Sequence, residues 1–560
     1  MVRDNWQSLD GVWYCAFSRE HTIPDEFDTT IIVPFSPETE LSGVKRVLLP
    51  EESLFYRRTF SYHHKPDTRV LLHFQAVDQE CVVFLNDKTL GSHIGGYIPF
   101  GFDVTPNIRD ENELVVIVTD KHDRSPLPKG RQRLNPAPNC TTAQSGIWQT
   151  VWLETVPETY ISSLTVTPDL DHQCFSLQVT TNKETSDPVT ITYDGKTISA
   201  LSNIKVTCLL QQPHPWSPED PFLYPVAVTC GEDTVQTYVA MRSFRMKDGV
   251  IFLNGKPYFH HGVLYQGYWK EGLYTPPDDQ AVENDLMGIK ALGFNTIRLH
   301  QKVETLKWYH LCDTLGLLVW QDMPSGGVVK PRGLGTFPLM LRPSKADDTK
   351  KHAFLGSDDR TYRLEFLAEL RGMIRLLYNC PCVEMWTLFS CGLGQFDSTR
   401  LQAHVKALDG SRLVNPTDGV YDQGSGDVHA EHLPSLKYHM RPDAHQRAVV
   451  ISDFGGFSIG AKTGFAYHAV SNETAYNQAL VSLYQNVVAP AKQQGLAGCV
   501  YTQFHDTETE SDGLVSYDRK QVKVTPETAS MIRSLLFQDG QERNTEDTVA
   551  QQNHQTSRQA

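Results

Sequence analysis

Three observations predict a multidomain chain with two β-sandwiches ahead of a C-terminal (β/α)8 TIM barrel. Short runs of alternating apolar and polar residues fill the first 240 positions, separated by turn clusters. Near Met246 the pattern changes, and apolar strand-like runs begin to alternate with amphipathic helical stretches. Eight such runs follow before the polar end of the chain, the number a closed parallel barrel needs.

The elements follow in order. RVLLHFQA, ECVVFLND and NELVVIVTD, with Asn86-Asp87 and Gly95-Gly96 as breakers, predict an antiparallel, jelly-roll-like sandwich over residues 1–157. SLTVTPD, SLQVTTN and PVAVTCGEDTVQTYVAM predict a smaller, immunoglobulin-like sandwich over 158–243. The barrel is expected over 244–537. Its first helix should be capped by Asp278 and closed by Gly293, with Val282, Leu286 and Ile289 on one face. Leu367, Leu370, Ile374 and Leu377 mark another helix. The strands are YFHHGVLYQG, FNTIRLH, LGLLVWQDMP, VEMWTLFS, RLVNPTDG, DVHAEHLP, RAVVISDF and LAGCVYTQ, apolar on both faces as buried parallel strands must be. The stretch 326–360, rich in proline, is long enough to cover the barrel mouth, and the polar 538–560 tail is expected to be disordered.

A net charge of -15 and a pI near 5.8 repel phosphate backbones and anionic lipid, which argues against nucleic-acid or membrane partners. The start MVRDNWQSLDGVWYC has no apolar signal core, and the 11 cysteines are scattered, so a soluble, cytoplasmic protein with reduced thiols is expected. Cys380 and Cys382 look like half a metal site. However, Cys391 lies nine strand residues beyond Cys382, roughly 30 Å away at about 3.3 Å per residue, so no metal and no cofactor are expected.

In a (β/α)8 barrel the chemistry belongs at the C-terminal strand ends. The polar residues there are Tyr265, Arg298, His300, Gln321 with Asp322, Ser390 with Cys391, His432, Asp453, and Thr502 with Gln503. Each has an ordinary structural reading as a strand-end bond or a loop cap. As a set on one mouth they point to a ligand site.

The chain resembles family 2 glycoside hydrolases, which include β-galactosidases and β-glucuronidases, over nearly its whole length. The motifs that carry the resemblance are LFYRRTF, GSHIGGYIPFGFDVT and SGIWQTVWLE in the first sandwich, WSPEDPFLYPV in the second, and LNGKPYFHHGV, ALGFNTIRLH, LGLLVWQDMP and SDGLVSYDRK in the barrel. It implies retaining hydrolysis by two glutamates about 5 Å apart, an acid/base after an Asn on the fourth strand and a nucleophile on the seventh. Matched position by position, Ser390 stands for the Asn, Cys391 for the acid/base and Asp453 for the nucleophile. Tyr265, Cys380 and Leu433 also depart from the residues usual in relatives. Arg298, His300, Gln321, Asp322, Trp386, Ser390, His432 and Gln503 are expected to contact substrate.

A thiol, with a pKa of about 8.5, is a weak donor, and general acid catalysis contributes about 10² to 10⁴-fold. Asp453 is one methylene short, withdrawing its oxygen by roughly 1 to 1.5 Å, and about 1 Å of misplacement can cost on the order of 10²-fold. The expectation is therefore an impaired or inactive glycosidase that binds a carbohydrate at the mouth. The alternative is a weak or repurposed O-glycosidase with Asp453 as nucleophile. Glu384 is excluded as a surrogate, being seven strand residues before Cys391 or roughly 23 Å away. Glu431 is turned away by strand alternation if His432 faces the mouth, and a Cys391 nucleophile activated by His300 or His432 ranks below both readings. A homo-oligomer is left open, since family members often assemble and no stretch here marks an interface.

Overall fold

Alternation builds the first sandwich. In the strand Glu111–Thr119, Leu114, Val116 and Val118 are fully buried while Glu111 and Glu113 before them face out. In the computed structural model, which describes residues 1–20, 22–136, 140–328, 346–348, 351–390, 392, 394–419, 421–460 and 464–537, this strand lies within a six-stranded sheet. A four-stranded sheet packs against it around Trp13, Leu54, Tyr56, Val83 and Ile147. The second sandwich pairs a three-stranded with a four-stranded sheet between Ile161 and Val239. The tail, most of 329–350 and Cys391 lie outside the described residues.

The barrel strands are β1 His260–Tyr265, β2 Thr296–Leu299, β3 Leu318–Asp322, β4 Val383–Thr387, β5 Leu413–Asn415, β6 Val428–Leu433, β7 Ala448–Gly455 and β8 Gly498–Thr502. They pair in parallel in the order β5-β4-β3-β2-β1-β8-β7-β6. The ring is stitched shut between β5 and β6 by one residue. Asp418, just past β5, forms isolated parallel bridges to Ser390 on one side and Ala430 on the other.

Alternation also sorts the barrel side chains. Leu264, Trp320, Met385, Ala430, Val450 and Val500 fill the interior, while their neighbours pack outward against the helices. The first helix is Asp279–Ala291; Asp278 accepts from Ala281 N at 2.8 Å, and Gly293 takes a left-handed φ of 90° just beyond its end.

Glu384 sits in the floor of the barrel, as its distance from the strand end requires. It accepts from Trp320 Nε1 at 3.0 Å and pairs with His260 Nε2 at 2.8 Å, all three residues being inaccessible to solvent. Glu384→Ala orphans two buried donors, at roughly 1–3 kcal/mol each. A thermal melt of the full chain is expected to show a clear drop.

Candidate active site

Arg298, one residue before the end of β2, organises the mouth. Its Nη2 bonds Asp322 Oδ2 at 2.9 Å, Ser390 Oγ at 2.9 Å and Asp418 Oδ2 at 2.7 Å, and its Nη1 bonds Ser452 O at 3.0 Å. One guanidinium thus gathers groups associated with β3, β4, β5 and β7 into one network, using the planar fork that makes Arg suited to carboxylates. His300 Nε2 lies 3.2 Å from Ser390 Oγ, and His432 Nε2 lies 2.7 Å from Asp418 Oδ2.

Irregularities in the strands aim the last of these groups. The register slips between Glu431 and His432 on β6, and between Ile451 and Phe454 on β7, so each strand is re-aimed at its C-terminal end. Asp453 lies within the β7 slip and accepts from Thr502 Oγ1 at 2.8 Å. Glu431, in contrast, lies beside Tyr438, whose phenol burial and the Glu431 charge push up.

The charges are not alike. Burial would raise the Asp418 carboxyl, but Arg298 and His432 outweigh it and hold the group well below the ordinary carboxylate range. Asp322, with burial dominant, Arg298 opposing and Asp418 nearby, is pushed up to about 6. His300 is driven far down by burial and by Arg131 and Arg298, so it is a neutral imidazole. Burial would lower His432 as well, yet the Asp418 charge prevails and favours its imidazolium form.

A second cluster adjoins the first across β8. Gln503 Nε2 donates to Glu510 Oε2 and Asp512 Oδ1, both at 2.9 Å. Gln266, directly after β1, donates to Gln503 Oε1 at 2.5 Å and to Glu510 Oε2 at 2.6 Å. Arg131 reaches in from the first sandwich and bonds Glu510 Oε1 at 2.6 Å. Burial would raise Glu510, but Arg131 and the two glutamine amides hold it below its usual value. Burial and the Glu510 charge push Asp512 well up.

The structure therefore gathers Arg298, His300, Asp322, Ser390, His432 and Asp453, with Gln503 on the adjoining wall. Two expected contacts are corrected. Trp386 packs in the outer layer, its Nε1 bonding Asp409 Oδ2 at 3.1 Å, because Met385 takes the inward position on β4. Gln321 also turns away: it accepts from Tyr309 Oη at 2.6 Å and donates to Lys302 O at 2.7 Å, leaving Trp320 and Asp322 on the inner side. Tyr265 is buried at the end of β1: its hydroxyl bonds Asp285 Oδ2 at 3.2 Å, and its ring stacks on Trp308.

Asp418, Arg131, Gln266, Glu510 and Asp512 escaped the sequence reading. Asp418 lies within RLVNPTDG and Asp512 opens DGLVSYDRK, so both were in view, but strand-end counting passes over loop residues. Asp422, His429 and Asp443 come within ligand range of one another, but the Arg447 guanidinium already bonds both carboxylates. Among the described residues every cysteine is a free thiol, and no helix is long and apolar enough to cross a membrane.

Three consecutive stretches match models of one family. Residues 33–178 match the glycosyl hydrolase 2 galactose-binding domain-like model, 159–242 the family 2 model, and 244–521 the family 2 TIM barrel domain. The chain belongs to glycoside hydrolase family 2. Among curated relatives, this family 2 chain is 22% identical over 511 residues to a β-glucuronidase of Rattus norvegicus, covering 80% of the chain and 74% of the relative. It is 26% identical over 305 residues to a β-galactosidase of Thermoanaerobacter pseudethanolicus, covering 49% of the chain and 40% of the relative. The matches span 35% to 56% of the length of the first three curated relatives.

Among solved structures, a β-galacturonidase from Eisenbergiella tayi bound to glycerol superposes with a TM-score of 0.72 at 21% identity, covering 94% of this chain and 96% of the other. A β-D-glucuronidase of Dictyoglomus thermophilum gives a TM-score of 0.75 at 15% identity, covering 96% and 98%. At these identities the likeness speaks for the sandwich and barrel architecture alone.

Proposed function

We propose that this family 2 protein of carbohydrate metabolism binds a glycoside at its barrel mouth and hydrolyses it poorly or not at all. The observation that carries this reading is the pairing of roles at β4 and β7. Asp453 stands at the nucleophile position, held by Thr502. On the β4 side Ser390 is tied to Arg298 and His300, and the acid/base position is Cys391 by sequence.

Binding is supported by buried polar atoms with unfilled bonding capacity. His300 Nδ1, Asp418 Oδ1 and Asp512 Oδ2 have no partner among the described residues. Each would otherwise cost about 1–3 kcal/mol, so a polyhydroxylated ligand that bonds them removes a penalty. The Asp418 carboxylate with the His432 imidazole, and the His300 imidazole beside Ser390, offer donors and acceptors that suit the hydroxyls of a sugar ring.

A second reading, a weak O-glycosidase with Asp453 attacking the anomeric carbon, is favoured by the strand slip that aims Asp453. Turnover of dinitrophenyl and simple aryl glycosides of several sugars separates the two. Dinitrophenolate leaves without a proton, so an active nucleophile would release it in the natural protein and not in Asp453→Ala. The expected result under the main reading is equal, background-level release from both proteins, together with measurable binding of at least one glycoside.

A further inference from the structure

Each cation described at the mouth already has a carboxylate. Arg298 bonds Asp322 and Asp418, His432 bonds Asp418, and Arg131 bonds Glu510. Asp453, bonded to Thr502, also faces the charge of His432, whereas Asp512, bonded to Gln503, has no cation among its described partners. The two interact electrostatically across the ends of β7 and β8.

Asp512 is 1% exposed, and its Oδ2 is an unpartnered buried acceptor. It packs beside Gly456, immediately after β7, where an added Cβ would stand 2.5 Å from the Tyr467 ring and 3.2 Å from Asp512 Oδ2. Gly456 has a left-handed φ of 68°, so this crowded approach of ring, carboxyl and backbone suits glycine. Gln266 and Gln503 hold Glu510 beside it from β1 and β8. The corner is thus a positioned acceptor set rather than a loose acidic patch.

We infer that this corner recognises a sugar through hydrogen bonds donated to Asp512, and takes one presenting a hydroxyl or an ammonium there rather than the carboxylate of a uronic acid. The inference rests on the glycoside reading of the mouth and names its substrate class. Solved structures similar to this chain include a β-galacturonidase bound to galacturonate and a β-glucuronidase. A uronate carboxylate entering this corner would meet Glu510 and Asp453 and would have to take Arg131 from Glu510. Like charges forced together in this way cost several kcal/mol. A sugar hydroxyl donates to Oδ2 without bringing charge. An ammonium pairs with Asp512 directly, and its positive charge favours the ionised carboxylate.

The test is calorimetric binding near neutral pH to the full chain, with methyl glycosides of glucose, galactose, glucosamine, glucuronate and galacturonate. Neutral or amino sugars are expected to bind at least about tenfold more tightly than the matching uronates. In Asp512→Asn the amino sugar should lose about tenfold, while the hydroxyl sugars change less, because an amide still accepts a hydrogen bond but cannot pair a charge. Glu510→Gln releases Arg131 and should raise uronate affinity, which keeps the test standing if Asp512→Asn fails to fold. Uronates binding as tightly as the neutral sugars would overturn this inference and leave the glycoside reading intact. Absence of binding to every sugar, in the natural protein and in both variants, would overturn both.

Discussion

Arg298→Ala is expected to lose about 3–5 kcal/mol of stability, the cost of removing one partner from a buried ion pair. The size follows from what is left behind. Asp322 and Asp418 are both inaccessible to solvent, and in the natural protein the same guanidinium neutralises both. The variant keeps only the His432 imidazole for Asp418 and none of the described cations for Asp322.

The pH dependence gives the loss a signature. In the natural protein Asp418 is held below the ordinary carboxylate range, so its contribution is present above that range and vanishes only in strong acid. Asp322 has the opposite sign: raised to about 6, it favours the fold at low pH and loses that contribution as pH rises through about 6. Without Arg298 burial pushes both carboxyls higher. Both then favour the fold when protonated, and the deficit of the variant against the natural protein should shrink as pH falls from 7 towards 5. Thermal melts of both proteins across that interval test this. A deficit that does not change with pH would mean that lost packing, not orphaned charge, sets its size.

Under the proposed reading, placing glutamate at both Cys391 and Asp453 is expected to have the largest effect on chemistry. Cys391→Glu supplies a carboxylic acid for the leaving oxygen, a contribution of about 10² to 10⁴-fold. Asp453→Glu returns the attacking oxygen by roughly one methylene, recovering on the order of 10²-fold where misplacement was the limit. The double variant should therefore hydrolyse a simple aryl glycoside some four orders of magnitude faster or more, provided the sugar is one the mouth binds. Asp453→Glu alone should help only with dinitrophenyl glycosides, which need no acid. If the double variant matches the parent on every sugar that binds, the assignment of Cys391 and Asp453 to these positions is wrong.

The architecture was legible because its signal is periodic. Two-residue alternation wrote the sandwiches, and apolar runs alternating with helices wrote the barrel. Asp278 and Gly293 at the ends of one helix show how directly local chemistry sets a boundary. The site was legible only in part. Arg298, Asp322 and Ser390 were found because they end strands and face inward. Trp386 and Gln321 end strands too, but strand parity turned them to the helices, and parity is lost wherever the register slips. Asp418, Glu510 and Asp512 sit on connections with no period to read. Arg131 belongs to a different domain, about 380 residues from its partner Glu510, a separation no local pattern encodes.

Asp418 joins two roles that most barrels keep apart. It is the hinge pin of the seam between β5 and β6, and its side chain anchors the Arg298 and His432 network. The hoop of the barrel is therefore buckled at its rim by a site residue. Integrity of the ring and order at the mouth share one fastening, so a change at Asp418 would loosen the barrel wall and the charged network together.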